Sequence, residues 1–294
     1  MKRYLVTLGA ALLSLSASAM EGGNSIYPLG SENYMCCALP PPGLYGMAFF
    51  ESYSTDKSVD NGGHVVTPPT FRVNANALVP RLVYVTPLTI GGASLAMHAI
   101  LPVVNLDVHV APGLSQSKTG IGDMVFGPAL GWHLSPHLHT LLALDFFAPT
   151  GGYHKEDLAN IGRNYWAVQP IVGVTYVDAA GPNADAKVMY TYNFKNNATD
   201  YKSGQEFIVD YDLGWGLNNG WTLGAGGYLY QQTTDDRQNG ATIANNKARA
   251  LSIGPSIKYD SGKGWFVTAK YQMEGEVRNR TEGQAFWLKA VMPF

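Results

Sequence analysis

The sequence predicts an all-β protein, a transmembrane antiparallel up-and-down β-barrel of about 12 strands preceded by a plug-like segment. Three observations carry that reading. Segments of about ten residues alternate in polarity with a period of two. Their connections alternate between short and long, and aromatic residues of the apolar parity gather beside the short ones. Composition agrees: 33 of 294 residues are Gly, more than a helical protein of this size carries, and only 14% are charged.

The chain opens MKRYLVTLGAALLSLSASAM. Lys2 and Arg3 form a basic n-region, Leu5 to Ser16 an apolar core, and Ala17-Ser18-Ala19 a small-residue cleavage site. Residues 1–19 therefore read as a secretory signal peptide cut after Ala19. A membrane-spanning helix needs about 20 apolar residues, more than this run offers. Losing 19 of 294 residues leaves 275, with 18 basic against 22 acidic side chains. Such near-neutral charge argues against a nucleic-acid partner.

Residues 20–43 form an N-terminal periplasmic or lumen-plug segment ahead of a barrel over 44–294. Within it, YMCCALPPPG holds the two cysteines of the chain, Cys36 and Cys37. Pro40, Pro41 and Pro42 withhold three N–H donors and favour a stiff extended conformer, so the stretch cannot continue a sheet. Its apolar groups, Ile26, Tyr27, Leu29, Tyr34, Met35 and Leu39, need a partner, and the barrel mouth is the nearest. Residues 24–42 are expected to fold into or across the lumen, the alternative being a disordered periplasmic leader. Adjacent cysteines close only a strained small ring, and no second pair or histidine set completes a metal site. They read as passengers.

Strand starts fall near residues 44, 71, 93, 121, 138, 165, 184, 205, 221, 248, 265 and 284. In ADAKVMYTYNFK one parity holds Asp185, Lys187, Met189 and Thr191, and the other Ala186, Val188, Tyr190, Tyr192 and Phe194. EFIVDYDLGW and WFVTAKYQME split in the same way. Short turns at TPLTIGG, SPH, DAAGPN, NNG and DSGK alternate with longer polar connections, as in outer-membrane barrels whose termini lie in the periplasm. Trp132, Tyr176, Trp215, Trp221, Tyr259, Trp265 and Phe294 share the apolar parity beside a short turn or the chain end, which describes an interfacial girdle. A soluble barrel would turn its apolar face inward and has no reason for such a rim. The parity slips near Pro80 and Pro102, where bulges are expected to let Arg81, Asn105, Asp107 and His109 face inward.

The polar parity defines candidate lumen residues: Arg72, Asp123, Asp145, Lys187, Glu206, Asp210, Asp212, Lys270 and Glu274, joined by Asp185, Lys195 and Lys289. Charges of both signs inside a barrel can also pair with one another and stiffen the wall. GIGDMVFG begins an alternating strand with no helix after it, so it is no nucleotide loop. His133, His137 and His139 in WHLSPHLH suggest a metal, yet strand parity does not converge them on one point. No metal or cofactor is expected. A rim-active lipid hydrolase would need an outward Ser, His and carboxylate or amide, whereas most polar candidates here point inward.

YPLGSENYMCCALPPPGLYG, GIGDMVFGPALGWHLSPHLH, APTGGYHKEDLANIGRNYWAVQPIVGVTY and TDYKSGQEFIVDYDLGWGL resemble the exported proteins named for the meta-pathway of phenol degradation, from about Ile26 to Phe294. The cysteine pair departs from relatives, where small residues are more usual. The terminal aromatic of FWLKAVMPF resembles the signal read by the barrel-insertion machinery. The resemblance implies a non-enzymatic outer-membrane channel of a Gram-negative bacterium, surrounded by outer-membrane lipids and taking up small hydrophobic or aromatic solutes. Substrate-path candidates are the lumen charges, and plug candidates are Tyr27, Tyr34, Leu39, Pro40, Pro41 and Pro42. A lipid-modifying enzyme and a structural or adhesive barrel with a closed lumen are the alternatives.

Overall fold

The structure, a computed structural model, describes residues 20–294; the signal peptide and its expected cut after Ala19 lie outside the described residues. Strands β1 (Gly43–Val59), β2 (Arg72–Ile90) and β3 (Ala93–Ile100) are followed by a hairpin of β4 (Val103–Ala111) and β5 (Leu114–Ile121). Next come β6 (Met124–His133), β7 (Leu138–Ala148), β8 (Ala167–Tyr176), β9 (Pro182–Asn193), β10 (Lys195–Asn196), β11 (Tyr201–Lys202) and β12 (Glu206–Gly216). The chain ends with β13 (Trp221–Gln232), β14 (Asp236–Gln238), β15 (Ala241–Ile243), β16 (Arg249–Asp260), β17 (Phe266–Arg278) and β18 (Arg280–Pro293). Without the β4–β5 hairpin and the small sheet β10-β11-β14-β15, twelve strands remain, and they close because β1 pairs with both β18 and β2. Each begins within four residues of its sequence-predicted start.

Closure leaves this ring no edge strand, the condition for β-structure in hydrocarbon. Parity decides what faces out. Leu213 and Val172 are 60% and 57% exposed, whereas Asp212 on the same strand as Leu213 is fully buried, so the apolar face is outside. A soluble barrel would show the reverse. At the short-turn rim the Trp221 and Tyr259 rings lie 4.8 Å apart, and Tyr259 and Trp265 5.8 Å. Phe294 N–H donates to the Leu44 carbonyl at 3.1 Å, which fastens the chain end beside the start of β1.

The expected bulges are absent. β1 and β2 pair without interruption from Gly43↔Val85 to Thr55↔Val73, so Pro80 faces outward and Arg81 inward by plain alternation. At Leu101–Pro102 the chain leaves the ring, and β4 returns along the upper part of β2, from Leu78↔Val103 to Arg72↔His109. This placement corrects three further expectations. Asn105, Asp107 and His109 pair with Asn76, Asn74 and Arg72, on the face that carries Leu78 and Leu82 lower down β2, which is the outer one. Arg72 is likewise exposed and outward. The inner face of the hairpin is covered in part by the loop after β7, where Gln116 Nε2 donates to Asp157 Oδ1 at 2.8 Å, so polarity there does not report the lumen. Lys195 also leaves the lumen set: it is exposed in the small loop sheet, 2.6 Å from Asp200.

Candidate functional site

Residues 20–42 touch inward side chains on β2, β8, β9, β12, β16, β17 and β18, and only the interior offers that set of neighbours. Asp210 on β12 accepts from Tyr27 Oη at 2.6 Å, Gly30 N at 3.0 Å and Glu32 N at 3.1 Å. Ser256 Oγ on β16 lies 2.9 Å from Tyr34 Oη and donates to Asp212 Oδ1 at 2.7 Å. Asn33 Nδ2 donates to Thr268 Oγ1 on β17 at 2.7 Å, and Gln272 Nε2 to the Leu29 carbonyl at 3.1 Å. Farther along, Cys36 N donates to Asp185 Oδ1 at 3.2 Å and Cys37 N to Thr175 Oγ1 at 3.1 Å.

Glu32 is the electrostatic centre of this arrangement. Its carboxylate meets Arg81 Nη1 at 2.9 Å, Lys187 Nζ at 3.5 Å and Lys289 Nζ at 3.6 Å, from β2, β9 and β18. Lys270 Nζ donates to the Glu32 carbonyl at 2.9 Å and Lys289 Nζ to the Tyr34 carbonyl at 3.0 Å. Burial acts to raise the carboxyl, but Lys187, Lys289 and Arg81 overcome it and hold the group at about 2. Burial pushes the phenols of Tyr27 and Tyr34 up, with Asp210 and Asp212 adding to the rise, so both remain donors.

Small residues make the close approach possible. A Cβ at Gly214 or Gly224 would lie 2.4 or 2.3 Å from Tyr34 Oη, and one at Gly173 2.2 Å from Cys37 Sγ. Both thiols are free, and the Cys36 thiol is pushed up by its hydrogen bond with Cys37 and then by burial. Tyr27 and Tyr34 are buried, and Leu39 and Pro40 are half-buried. Pro41 and Pro42 are exposed at the short-turn end, where the Pro41 carbonyl accepts from Tyr45 Oη at 2.8 Å.

The other sequence-predicted charges fall into separate groups. Asp145 Oδ1 accepts from His98 Nε2 at 2.8 Å. Glu206 accepts from Asn193 Nδ2 at 2.8 Å. Asp123, just before β6, accepts from Gly151 N at 2.9 Å and Arg163 N at 2.7 Å, which ties down the loop after β7. Glu274 gathers Tyr53 Oη at 3.2 Å, Arg280 Nη2 at 3.3 Å, Gly283 N at 2.7 Å and Tyr228 Oη. His133 and His139 are register partners with Nδ1 atoms 2.7 Å apart, while His137 turns away to the Val177 carbonyl, so the three rings do not meet at one point.

The inner wall has a second character. β2, β3, β6, β7 and β8 turn Val83, Val85, Ala96, Val125, Leu141 and Ile171 inward, and Ile26, Tyr27, Leu29 and Leu39 pack in that cluster. Sequence reasoning missed Glu32 because alternation assigns faces only within strands, so Arg81, expected to face inward on β2, was left without its partner. The one available signal was that Glu32 is the single charged residue of residues 24–42.

An apolar outer face, an aromatic rim, a closed twelve-stranded ring and a polar interior together define an outer-membrane β-barrel. Residues 55–290 match the family described as "Putative MetA-pathway of phenol degradation", and the chain belongs to it. The fold is similar to that of an outer membrane channel from Pseudomonas putida F1, at 18% identity and a TM-score of 0.78 over 88% of this chain and 97% of that one. It is also similar to the transport unit of the autotransporter AIDA-I from Escherichia coli, at 8% identity and a TM-score of 0.53, covering 89% of this chain and 94% of that one. No curated protein matches the chain.

Proposed function

We propose that the protein is a passive outer-membrane channel for small hydrophobic, chiefly aromatic, compounds, and that residues 20–43 act as a plug that narrows its lumen. The observation that supports this reading is the apolar strip of inner wall from β2 to β8, faced by Ile26, Tyr27, Leu29 and Leu39. Water-filled pores have polar interiors, whereas an apolar strip lowers the cost of passing a phenyl ring. Membership of a family described by phenol degradation agrees with that solute class. Downhill passage across the outer membrane needs no coupling chemistry, so the fixed elements of the path suffice. Its charged sector, from Asp210 through Lys270 to Lys289, anchors the plug rather than selecting solutes.

Liposomes containing the purified protein should take up a phenol faster than an aromatic acid, and the acid faster than a sugar of similar size. Equal rates for phenol and sugar would contradict the solute class. No uptake of any would indicate a structural barrel with a closed lumen, and lipid turnover an enzyme.

A further inference from the structure

The segment ends at the long-loop side of the barrel in a site that the transport reading leaves unused. Met20 is 2% exposed, and its backbone nitrogen donates to Asp236 Oδ2 at 2.8 Å. Asp236 is itself fully buried. The same oxygen accepts from Tyr201 Oη at 2.6 Å and Asn246 Nδ2 at 2.9 Å. Oδ1 accepts from Gly204 N at 2.7 Å and Gln232 Nε2 at 2.8 Å. All five donors are neutral as long as Met20 N is an amide. Among the described residues no Lys, Arg or His side chain pairs with Asp236. A buried carboxylate without a counter-charge is costly.

A second, independent feature lies at the same atom. Met20 has φ 68° and ψ 143°, a pairing that a non-glycine residue in mid-chain occupies only under strain. A residue whose nitrogen starts the chain has no preceding carbonyl, so the strain vanishes there. Both anomalies are resolved by one event. We propose that Asp236 is the binding site for a primary ammonium, the α-amino group that cleavage after Ala19 creates on Met20, and that this ion pair latches the lumen segment at its outer end. The cut hydrolyses the Ala19–Met20 amide: water supplies the hydroxyl of the Ala19 carboxyl group and a proton to the new amine, and a second proton from solvent completes the ammonium.

The neighbouring contacts fit a latch. Glu21 accepts from Thr199 Oγ1 at 2.6 Å, Asn196 Nδ2 at 3.0 Å and Tyr153 Oη at 3.2 Å, while its N–H donates to Ser203 Oγ at 3.2 Å. Met20 and Glu21 thus join the loops after β7, β9 and β13. An acylated nitrogen would lack the charge, so an unprocessed chain would leave Asp236 unbalanced and its segment loose.

The test uses mature protein purified from outer membranes. Intact mass should show Met20 as the first residue. A carboxylate beside an ammonium raises its pKa by about 1–3 units, so at pH near 7 an amine-reactive ester should label the native terminus at least ~10-fold more slowly than the denatured one. Asp236→Asn should abolish that protection. A chain with one Gly inserted between Ala19 and Met20, which keeps Asp236 and displaces the amine, should also label at the denatured rate. A different first residue, a native amine as reactive as the denatured one, or protection that survives both changes would overturn the proposal. Should the Asn variant fail to assemble, the native rate and the Gly-extended chain decide. Labelling reads the site whether or not any solute crosses, so its outcome is separate from that of the transport experiment.

Discussion

Glu32 concentrates in one side chain what holds the lumen segment in place. Its ion pairs with Arg81, Lys187 and Lys289 are all inside the barrel, where removal of one partner leaves the rest as buried unpaired charge. Glu32→Gln should therefore detach the segment without opening the ring, raising the mean conductance of single channels while the protein remains a barrel by circular dichroism. Unaltered conductance in that variant would mean that the surrounding hydrogen bonds suffice. The pH dependence has a defined sign. The carboxyl is held at about 2, below its ordinary value of 4.5, so its contribution is complete above about 4.5 and is lost as pH falls through 2. The difference corresponds to about 3 kcal/mol at neutral pH. The Glu32-dependent part of the conductance should rise as the solution is acidified below about 4.5, a change that Glu32→Gln should remove.

At the scale of elements, the segment and the strands it touches have different tasks. Deleting residues 24–42 removes the contacts to Asp210, Ser256, Thr268 and Lys270 but none of the ladder, so conductance should rise and larger solutes should enter. Equal conductance after the deletion would defeat the plug. Replacing Cys36 and Cys37 by Ser should change neither property, since their backbone N–H groups hold Asp185 and Thr175, and a Ser hydroxyl can take over the long thiol contacts, Cys36 Sγ to Thr175 Oγ1 at 4.0 Å and Cys37 Sγ to the Ala186 carbonyl at 3.9 Å. β18 has another duty: it closes the ring against β1, and Phe294 packs so near Gly46 that a Cβ there would lie 2.8 Å from its ring. Phe294→Asp should cut assembly in cells well beyond any effect on refolding into detergent. Normal amounts in the outer membrane would show that the terminal aromatic is no assembly signal.

For the whole molecule, closure is the property that matters. With β1 paired on both sides, unfolding has no free edge to start from. The mature protein should migrate faster on a gel unheated than boiled, and a single mobility under both conditions would contradict a closed ring. Strand number and start positions were legible because a barrel wall imposes alternation on each strand, with lipid on one side. The girdle of Trp221, Tyr259 and Trp265 was legible for the same reason, since the interface selects amphipathic rings at fixed positions along the strands. The hairpin β4–β5 was not, because its inner face is covered by the loop after β7 rather than by the lumen and a proline-marked exit from the ring looks like a slipped parity.

What the sequence determined by itself was therefore the local rule: which residues alternate, which connections are short, and hence a barrel with an apolar outside. Tertiary structure alone decided the partners. Glu32 finds cations on β2, β9 and β18, and Met20 finds Asp236 across 216 positions of chain, contacts that no periodicity encodes. The reason is physical. Alternation is set by the pleat of a single strand between two solvents, whereas a segment threaded through the lumen is placed by whichever inward groups the closed ring brings to the same height.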